Sequence, residues 1–313
     1  MNMITPMVSV VMPSMNQVAF IVASVDSVLS QNYDHLELIV ADGGSTDGTQ
    51  AWLTQRQAQD TRLRWVSEPD GGPADALNKV LRLARGTIIG WLNSDDLYTP
   101  GAVQRAVQAL MDHPEWLMVY WHGEHVDADG QVSGRYPTLP PSTPAAEFSD
   151  GCFICQPTVF FRRTMWVLLG GLDNGLKTAF DFDYWLRAFT RLPGRIGFVD
   201  AVQAQSRLHA GCITMRMRGI VALEAMQVVA LHLGQAPCHW ALTHVNELLV
   251  QFSVCDASDI EVKLQMAKFI EEASQFLSSD EQAKLQDELR SINSPALWSL
   301  LGTLPTPTMC HED

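Results

Sequence analysis

The sequence predicts an α/β fold, a mostly parallel central sheet with flanking helices, followed by a C-terminal α-helical region. Three observations carry this. Over the first hundred residues, short β-branched runs alternate with longer segments of helical period, the pattern of parallel strands joined by crossover helices. Each run gives way to carboxylates or amides, at the strand ends where an open α/β sheet collects its ligand. From about Met215 the apolar spacing turns helical. The expected division is a sheet-based unit over 1–214 and a helical extension over 215–313.

In chain order, Val8 to Met12 reads as a buried strand ending at Pro13, and Val18 to Ser30 as a helix. Glu37 to Ala41 is the second strand, Asp47 to Gln59 a helix, and Arg62 to Ser67 the third strand. A helix from Pro73 to Ala84 leads into a strand from Thr87 to Leu92, and Pro100-Gly101 opens a helix to about His113. Val119 to Tyr136 reads as short strands about an Asp129-Gly130 turn. Pro137 to Asp150 is too long for a simple connection and reads as a lid, a binding loop or a plain linker. Phe153 to Phe161 is a further strand and Asp181 to Arg191 a short helix. In the tail, Ile260, Leu264, Ala267, Ile270 and Leu277 fall near one helical face, and Ser279 with Gln282 reads as a capping box.

Composition narrows the function classes. A chain of 313 residues, 47% hydrophobic and 18% charged, buries a sizeable core. Its net charge of −14 opposes nucleic-acid binding, which needs basic stripes. An acidic chain still takes a phosphorylated small molecule when a divalent cation bridges carboxylates to phosphates. No run of eighteen apolar residues and no basic leader is present, so no transmembrane segment is expected and the default compartment is the cytoplasm. The six cysteines suggest no disulfide framework; Cys152 and Cys155 form one CxxC, read as buried thiols because zinc needs two further ligands.

Three clusters bear chemistry. Asp42-Gly43-Gly44-Ser45-Thr46-Asp47-Gly48-Thr49 joins a strand to a helix; a tight turn explains the glycines and Asp47 but does not require Asp42. Asn93-Ser94-Asp95-Asp96 sets two carboxylates side by side at a strand end, a costly arrangement unless a cation or strong donors neutralise it. Magnesium or manganese suits such oxygen ligands; the alternative is one aspartate capping the next helix and one solvated. Asp181 and Asp183 open a helix with Arg187 one turn on; if Arg187 holds Asp183, Asp181 is free to act as a general base. The alternative is that both serve the helix N-terminus alone. Trp121, His122 and Trp166 read as packing or as an acceptor wall, and Arg162 and Arg163 as partners of acidic neighbours or of a phosphate.

Taken together, these stretches resemble family 2 glycosyltransferases. The resemblance rests on Val10 to Gln17, the Asp42 turn, Glu68-Pro69-Asp70-Gly71-Gly72-Pro73 through Lys79, Gly90 to Asp96, Cys155-Gln156-Pro157-Thr158 through Arg163, Gly170-Gly171-Leu172-Asp173, the Asp181 segment and Arg207-Leu208-His209. It spans about residues 8 to 214. It implies a GT-A fold, a nucleoside-diphosphate sugar donor with UDP-sugar first among them, and inversion at the anomeric carbon. Pro13, Ser14, Asn16, Asp42 and Asp70 would then line the nucleoside pocket. Asp95 with Asp96 and His209 would meet the metal, Mn²⁺ or Mg²⁺, and Asp181 would be the catalytic base. Asn93 stands where many relatives carry aspartate and can hydrogen-bond a ribose but not supply charge; Cys212 stands where serine is common. The acceptor would be a glycan, a lipid-linked glycan or another hydroxyl compound, in cell-surface polysaccharide or glycoconjugate synthesis, with peripheral association at the inner membrane face as an option. The alternatives are a sugar-nucleotide nucleotidyltransferase and a non-catalytic nucleotide-sugar-binding protein. The first should carry a Gly-rich basic loop where Pro13-Ser14-Met15-Asn16 stands, and no GxGxxG marks a dinucleotide oxidoreductase.

Overall fold

The computed structural model describes residues 5–254 and 260–291. Cys255, Cys310 and the side chain of Ile260 lie outside the described residues. The chain separates into two compact units, Met1–Arg216 and Met217–Asp313.

In the first unit the alternating runs become β1 (Val8–Ser14), α1 (Ile21–Leu29), β2 (Leu36–Asp42), α2 (Thr49–Gln59), β3 (Leu63–Ser67), α3 (Pro73–Leu83), β4 (Ile88–Trp91), β5 (Leu97–Tyr98) and α4 (Ala102–Asp112). They are followed by β6 (Met118–Val126), β7 (Val132–Arg135), β8 (Phe160–Arg162), α5 (Arg163–Leu169), α6 (Phe180–Arg191), β9 (Ile196–Arg207) and α7 (Ile213–Arg216). The strands form one sheet in the order β3-β2-β1-β4-β8-β6-β9-β5, with β7 on β6. β1 is parallel to β2 and β4, and β2 to β3. β8 runs against both β4 and β6, so β6 and its parallel partner β9 point the same way as β1. The sheet is therefore mostly parallel in direction, and β9 delivers its carboxyl end to the same edge as β4.

Alternation sorts the core. Val8, Val10 and Met12 of β1 and Leu38 and Val40 of β2 pack with Val25 and Val28 of α1 and Val103, Ala106 and Leu110 of α4. Helix α3 lies against β1 and β2 and buries Leu77, Val80 and Leu81. Burial on both faces explains why the strands read as nearly continuous apolar runs.

Several elements differ from the sequence reading. Helix α1 starts at Ile21 rather than Val18 because residues 16–18 are drawn toward the turn after β2: Asn16 adopts φ 52°, its N–H donates to Ser45 Oγ (2.7 Å) and the Val18 N–H to Asp47 (2.9 Å). The strand expected from Phe153 shrinks to β8, because Cys155 to Thr158 tightens into a 3₁₀ turn closed by Thr158 Oγ1 on the Cys155 carbonyl (2.7 Å). β5, α5 and β9 were not anticipated. β9 is irregular against β6, where the register jumps on both sides of His122, so no clean alternation marks it.

The segment 137–150 carries only a short 3₁₀ turn, Ala145–Ser149. Phe148, fully buried there, stacks on Phe153 (4.0 Å) and meets Phe189 edge-on (5.0 Å). Tyr136 Oη donates to the Cys152 carbonyl (2.7 Å), closing the base of this segment.

The second unit comprises α8 (Arg218–Leu233), α9 (His239–Val254), α10 (Ile260–Ser274) and α11 (Ser279–Ser291). Its buried face of α10 is Met266, Phe269, Ile270 and Ala273; Leu264 is 63% exposed, so that apolar face is rotated from the expected one. The cap of α11 is Ser278, whose Oγ accepts the Glu281 N–H (3.3 Å), one residue earlier than the expected Ser279.

Candidate active site

The carboxyl ends of β1 and β2 are zipped together. Gly43 N–H donates to the Ser14 carbonyl (2.9 Å), and Thr46 N–H to Asn16 Oδ1 (2.8 Å). Asn16 is therefore spent on loop geometry, as is Asp47, which holds Val18 and Thr49. Asp42, 2% exposed, directs Oδ2 to the N–H groups of Gly44 and Ser45, to Ser67 Oγ (2.7 Å) and to Gln50 (2.9 Å). Burial pushes this carboxyl up, but the bonds from Ser45, Ser67 and Gln50 outweigh it and hold the pKa below the ordinary value. Its Oδ1 has no hydrogen-bond partner, and neither has the hydroxyl of Ser14, its neighbour across the β1–β2 ladder. Buried polar atoms in a folded protein are normally paired, and these two lie side by side at the carboxyl ends of β1 and β2. Pro13 is buried within β1, beside Ala41. Asp70 leans over Gly43, where a Cβ would come within 2.9 Å of its Oδ2.

The turn after β4 separates its two carboxylates. Asp96 turns inward, 3% exposed, and accepts the Arg207 N–H (2.8 Å) and the Asn93 amide (3.2 Å). Burial and the adjacent Asp95 charge raise its pKa well above the ordinary carboxylate range, against the pull of Arg207 and Asn93. Asp95 faces the other way: its Oδ2 lies 3.1 Å from His209 Nε2, and both side chains retain some exposure. The ring of Phe20 packs at 4.4 Å from His209, and the Arg207 guanidinium lies over the same ring at 5.2 Å while donating to the Asp95 carbonyl (2.9 Å). Asn93 is committed internally, accepting from Trp91 Nε1 (3.1 Å) and donating to Gln156 Oε1 (3.0 Å); Gln156 in turn donates to the Trp91 carbonyl (2.8 Å). Gln156 thus fixes the turn that aims Asp95, a role that its place before Pro157 did not disclose.

Asp181 stands in the first turn of α6. Arg187 is bonded to Asp183 (2.8 Å) and to the carbonyls of Leu169 and Gly171, so Asp183 serves α6 and its anchorage. Asp181 remains partly exposed, and desolvation raises its pKa to about 6, only partly offset by the Phe182 N–H (2.8 Å). Trp91 stacks on Phe180 (5.6 Å), which ties this helix start to the strand that Asp95 follows. Cys155 lies between: burial first, then the Asp96, Cys152 and Asp181 charges, push its thiol up. Cys152 is pushed to about 12, by burial and then Asp181, so both thiols are inert packing groups.

Of the remaining candidates, Trp121 is buried in the core. His122 pairs with Asp200 (3.0 Å). Arg162 bonds the carbonyls of Trp116 and Leu110, and Arg163 that of Ala84, rather than acidic side chains. Among the described residues no three His, Cys, Asp or Glu side chains gather as a metal cage. The donor set that fits a divalent cation is a pair, Asp95 and His209, one carboxylate and one imidazole, which leaves the other coordination positions to a ligand's own oxygens.

Residues 9–167 match the family model described as glycosyl transferase family 2. Curated relatives include chondroitin synthase of Escherichia coli, 31% identical over 182 residues, covering 58% of this chain and 26% of that protein. Hyaluronan synthase of Pasteurella multocida is 30% identical over 186 residues, covering 58% and 18%. The chain thus spans about a quarter or less of these synthases. Among solved structures, S. aureus TarS 1-349 in complex with UDP aligns with a TM-score of 0.62 at 18% identity over 95% of this chain and 87% of that one. The mannosyltransferase PcManGT from Pyrobaculum calidifontis, in complex with GDP-Man and Mn²⁺, aligns with a TM-score of 0.56 at 19% identity over 96% and 84%. The fold is GT-A.

Proposed function

The chain belongs to glycosyl transferase family 2, and from that premise we propose that it is an inverting transferase moving a sugar from a UDP-sugar to an acceptor hydroxyl during synthesis of a cell-surface polysaccharide or glycoconjugate. The family favours transfer over the nucleotidyltransferase and non-catalytic alternatives. The names of the synthase relatives support a polysaccharide product. The TarS complexes with UDP and UDP-GlcNAc support a uridine donor, and PcManGT's Mn²⁺ supports a divalent cation.

The observation that carries the reading is the contrast among Asp42 and Asp95 after their strands and Asp181 at the start of α6. Asp42 is held ionised with one oxygen free beside Ser14, which suits hydrogen-bond recognition of a nucleoside. Asp70 closes over the same turn. Asp95 and His209 would hold the cation; when bound, it supplies positive charge for the departing diphosphate. Asp96 and Asn93 orient the turn from within. Asp181 takes the proton of the attacking acceptor hydroxyl, and its elevated pKa makes it a stronger base than an ordinary aspartate. Direct attack requires no covalent enzyme intermediate.

Thermal denaturation with a panel of nucleotide sugars, with and without Mn²⁺, tests the donor. UDP-sugars should stabilise in a Mn²⁺-dependent manner, and Asp95→Ala should remove that dependence. Stabilisation by GDP-sugars alone would overturn the uridine assignment.

A further inference from the structure

Charge is unevenly distributed. In a chain with 35 acidic and 21 basic residues, stretches 76–94 and 151–172 contain no Asp or Glu, yet carry Lys79, Arg82, Arg85, Arg162 and Arg163. The fold lays these stretches side by side. β4 pairs with β8 so that Ile88 faces Arg162; the Arg163 N–H donates to the Thr87 carbonyl (2.9 Å) and its guanidinium to the Ala84 carbonyl (2.9 Å). Lys79 is neutralised by Asp75 (3.2 Å) and Glu68 (3.4 Å), and Arg162 turns inward. Arg82, Arg85 and Arg163 are exposed, and among the described residues no carboxylate lies within ion-pairing distance of them. Glu37 is buried and spent on Ser9, Arg64 and the Arg85 N–H, and Asp75, which feels the Arg82 charge, is paired with Lys79 (3.2 Å).

The same end of the sheet exposes large apolar side chains. Leu83 is 42% exposed between Arg82 and Arg85, while Val167 and Leu168 are 76% and 62% exposed on α5, one turn after Arg163. We propose that the exposed arginines at the amino end of β4, with Leu83, Val167 and Leu168, form a docking surface for an anionic phospholipid bilayer. The arginines complement the lipid headgroups despite the chain's overall negative charge. Adjacent aliphatic residues enter the headgroup boundary, which a polyanion in solution would leave unused. Because this patch lies at the amino end of β4 and Asp95 follows its carboxyl end, docking points the catalytic edge away from the bilayer.

Vesicle co-sedimentation tests this, using phosphatidylcholine alone and phosphatidylcholine mixed with phosphatidylglycerol. The full chain should bind the mixed vesicles and not the neutral ones. Each arginine contributes roughly fivefold in partitioning, so Arg82→Gln with Arg85→Gln should weaken binding on the order of twenty-fold. Val167→Ser with Leu168→Ser should remove the fraction that survives raised salt. Both double variants should keep the wild-type melting temperature, which separates lost docking from lost folding. Equal binding to neutral vesicles, or unchanged binding in the arginine variant, overturns the proposal. Binding that heparin displaces and the Val167/Leu168 variant leaves untouched assigns the patch to a soluble polyanion and overturns it equally.

Discussion

A carboxylate that must shed its proton in a desolvated place leaves a mark on both rate and stability. Asp181 has a folded pKa of about 6 against 3.8 for the free side chain, so ionising it opposes folding. That cost is absent below the unfolded value, grows between the two, and is complete above the folded one. Asp181→Asn should therefore stabilise the protein above pH 6, by on the order of 2 kcal/mol, and be neutral below about pH 4. Denaturant titrations at the two pH values check this, and equal effects at both would remove desolvation as the cause. The same substitution should abolish transfer while retaining metal-dependent UDP binding, and the wild-type kcat/KM should fall on the acid side with an apparent pKa near 6. For Asp42, the asparagine variant should lose at least tenfold in UDP affinity by calorimetry while remaining folded. Asp42, Asp95 and Asp181 stood out in the sequence because each follows a strand or opens a helix. The internal employment of Asn93 and Asp96 did not, since their partners Gln156 and Arg207 lie 63 and 111 positions away.

Arg187 is the pin between α5 and α6, joining buried Asp183 to the carbonyls of Leu169 and Gly171. Arg187→Met strips a buried carboxylate of its cation and should cost about 3 kcal/mol or more in urea unfolding. At the centre of β6, a Cβ on Gly123 would lie 2.2 Å from Cys155 Sγ. Gly123→Ala should destabilise by about 1–3 kcal/mol, and adding Cys155→Ala should recover part of the loss. The parallel elements β1 to β4 were legible because each crossover unit repeats one strand and one helix of opposite period. β9 was not, because its irregular pairing breaks the period of two, and β5 is too short to carry a pattern at all.

At the scale of the chain, a cation held by Asp95 and His209 as proposed would depend on its nucleotide for the remaining ligands. EDTA should therefore abolish stabilisation by UDP while leaving the unliganded melting temperature nearly unchanged; a large fall without nucleotide would point to a structural metal instead. The helical content after Met215 was readable from apolar spacing, and its buried face in part: Ile270 and Leu277 are buried as expected. Leu264 points to solvent while Met266 and Phe269 enter the core, a choice made by the neighbouring helices rather than by the period alone. The length relation to the synthases also belongs here: the match covers 58% of this chain but only 26% of the Escherichia coli chondroitin synthase.

The hoop between Tyr136 and Cys152 is tied at its base and pinned near one end by Phe148. A rope moored this way swings as a door only if its anchor is drawn out. Lifting it whole means pulling an aromatic ring out of a cluster of aromatic rings, whereas 140–144 can flex at small expense. Length changes should accordingly be tolerated in 140–144 and not beside Phe148, so that the outer part of this segment is free to vary while its aromatic anchor stays fixed.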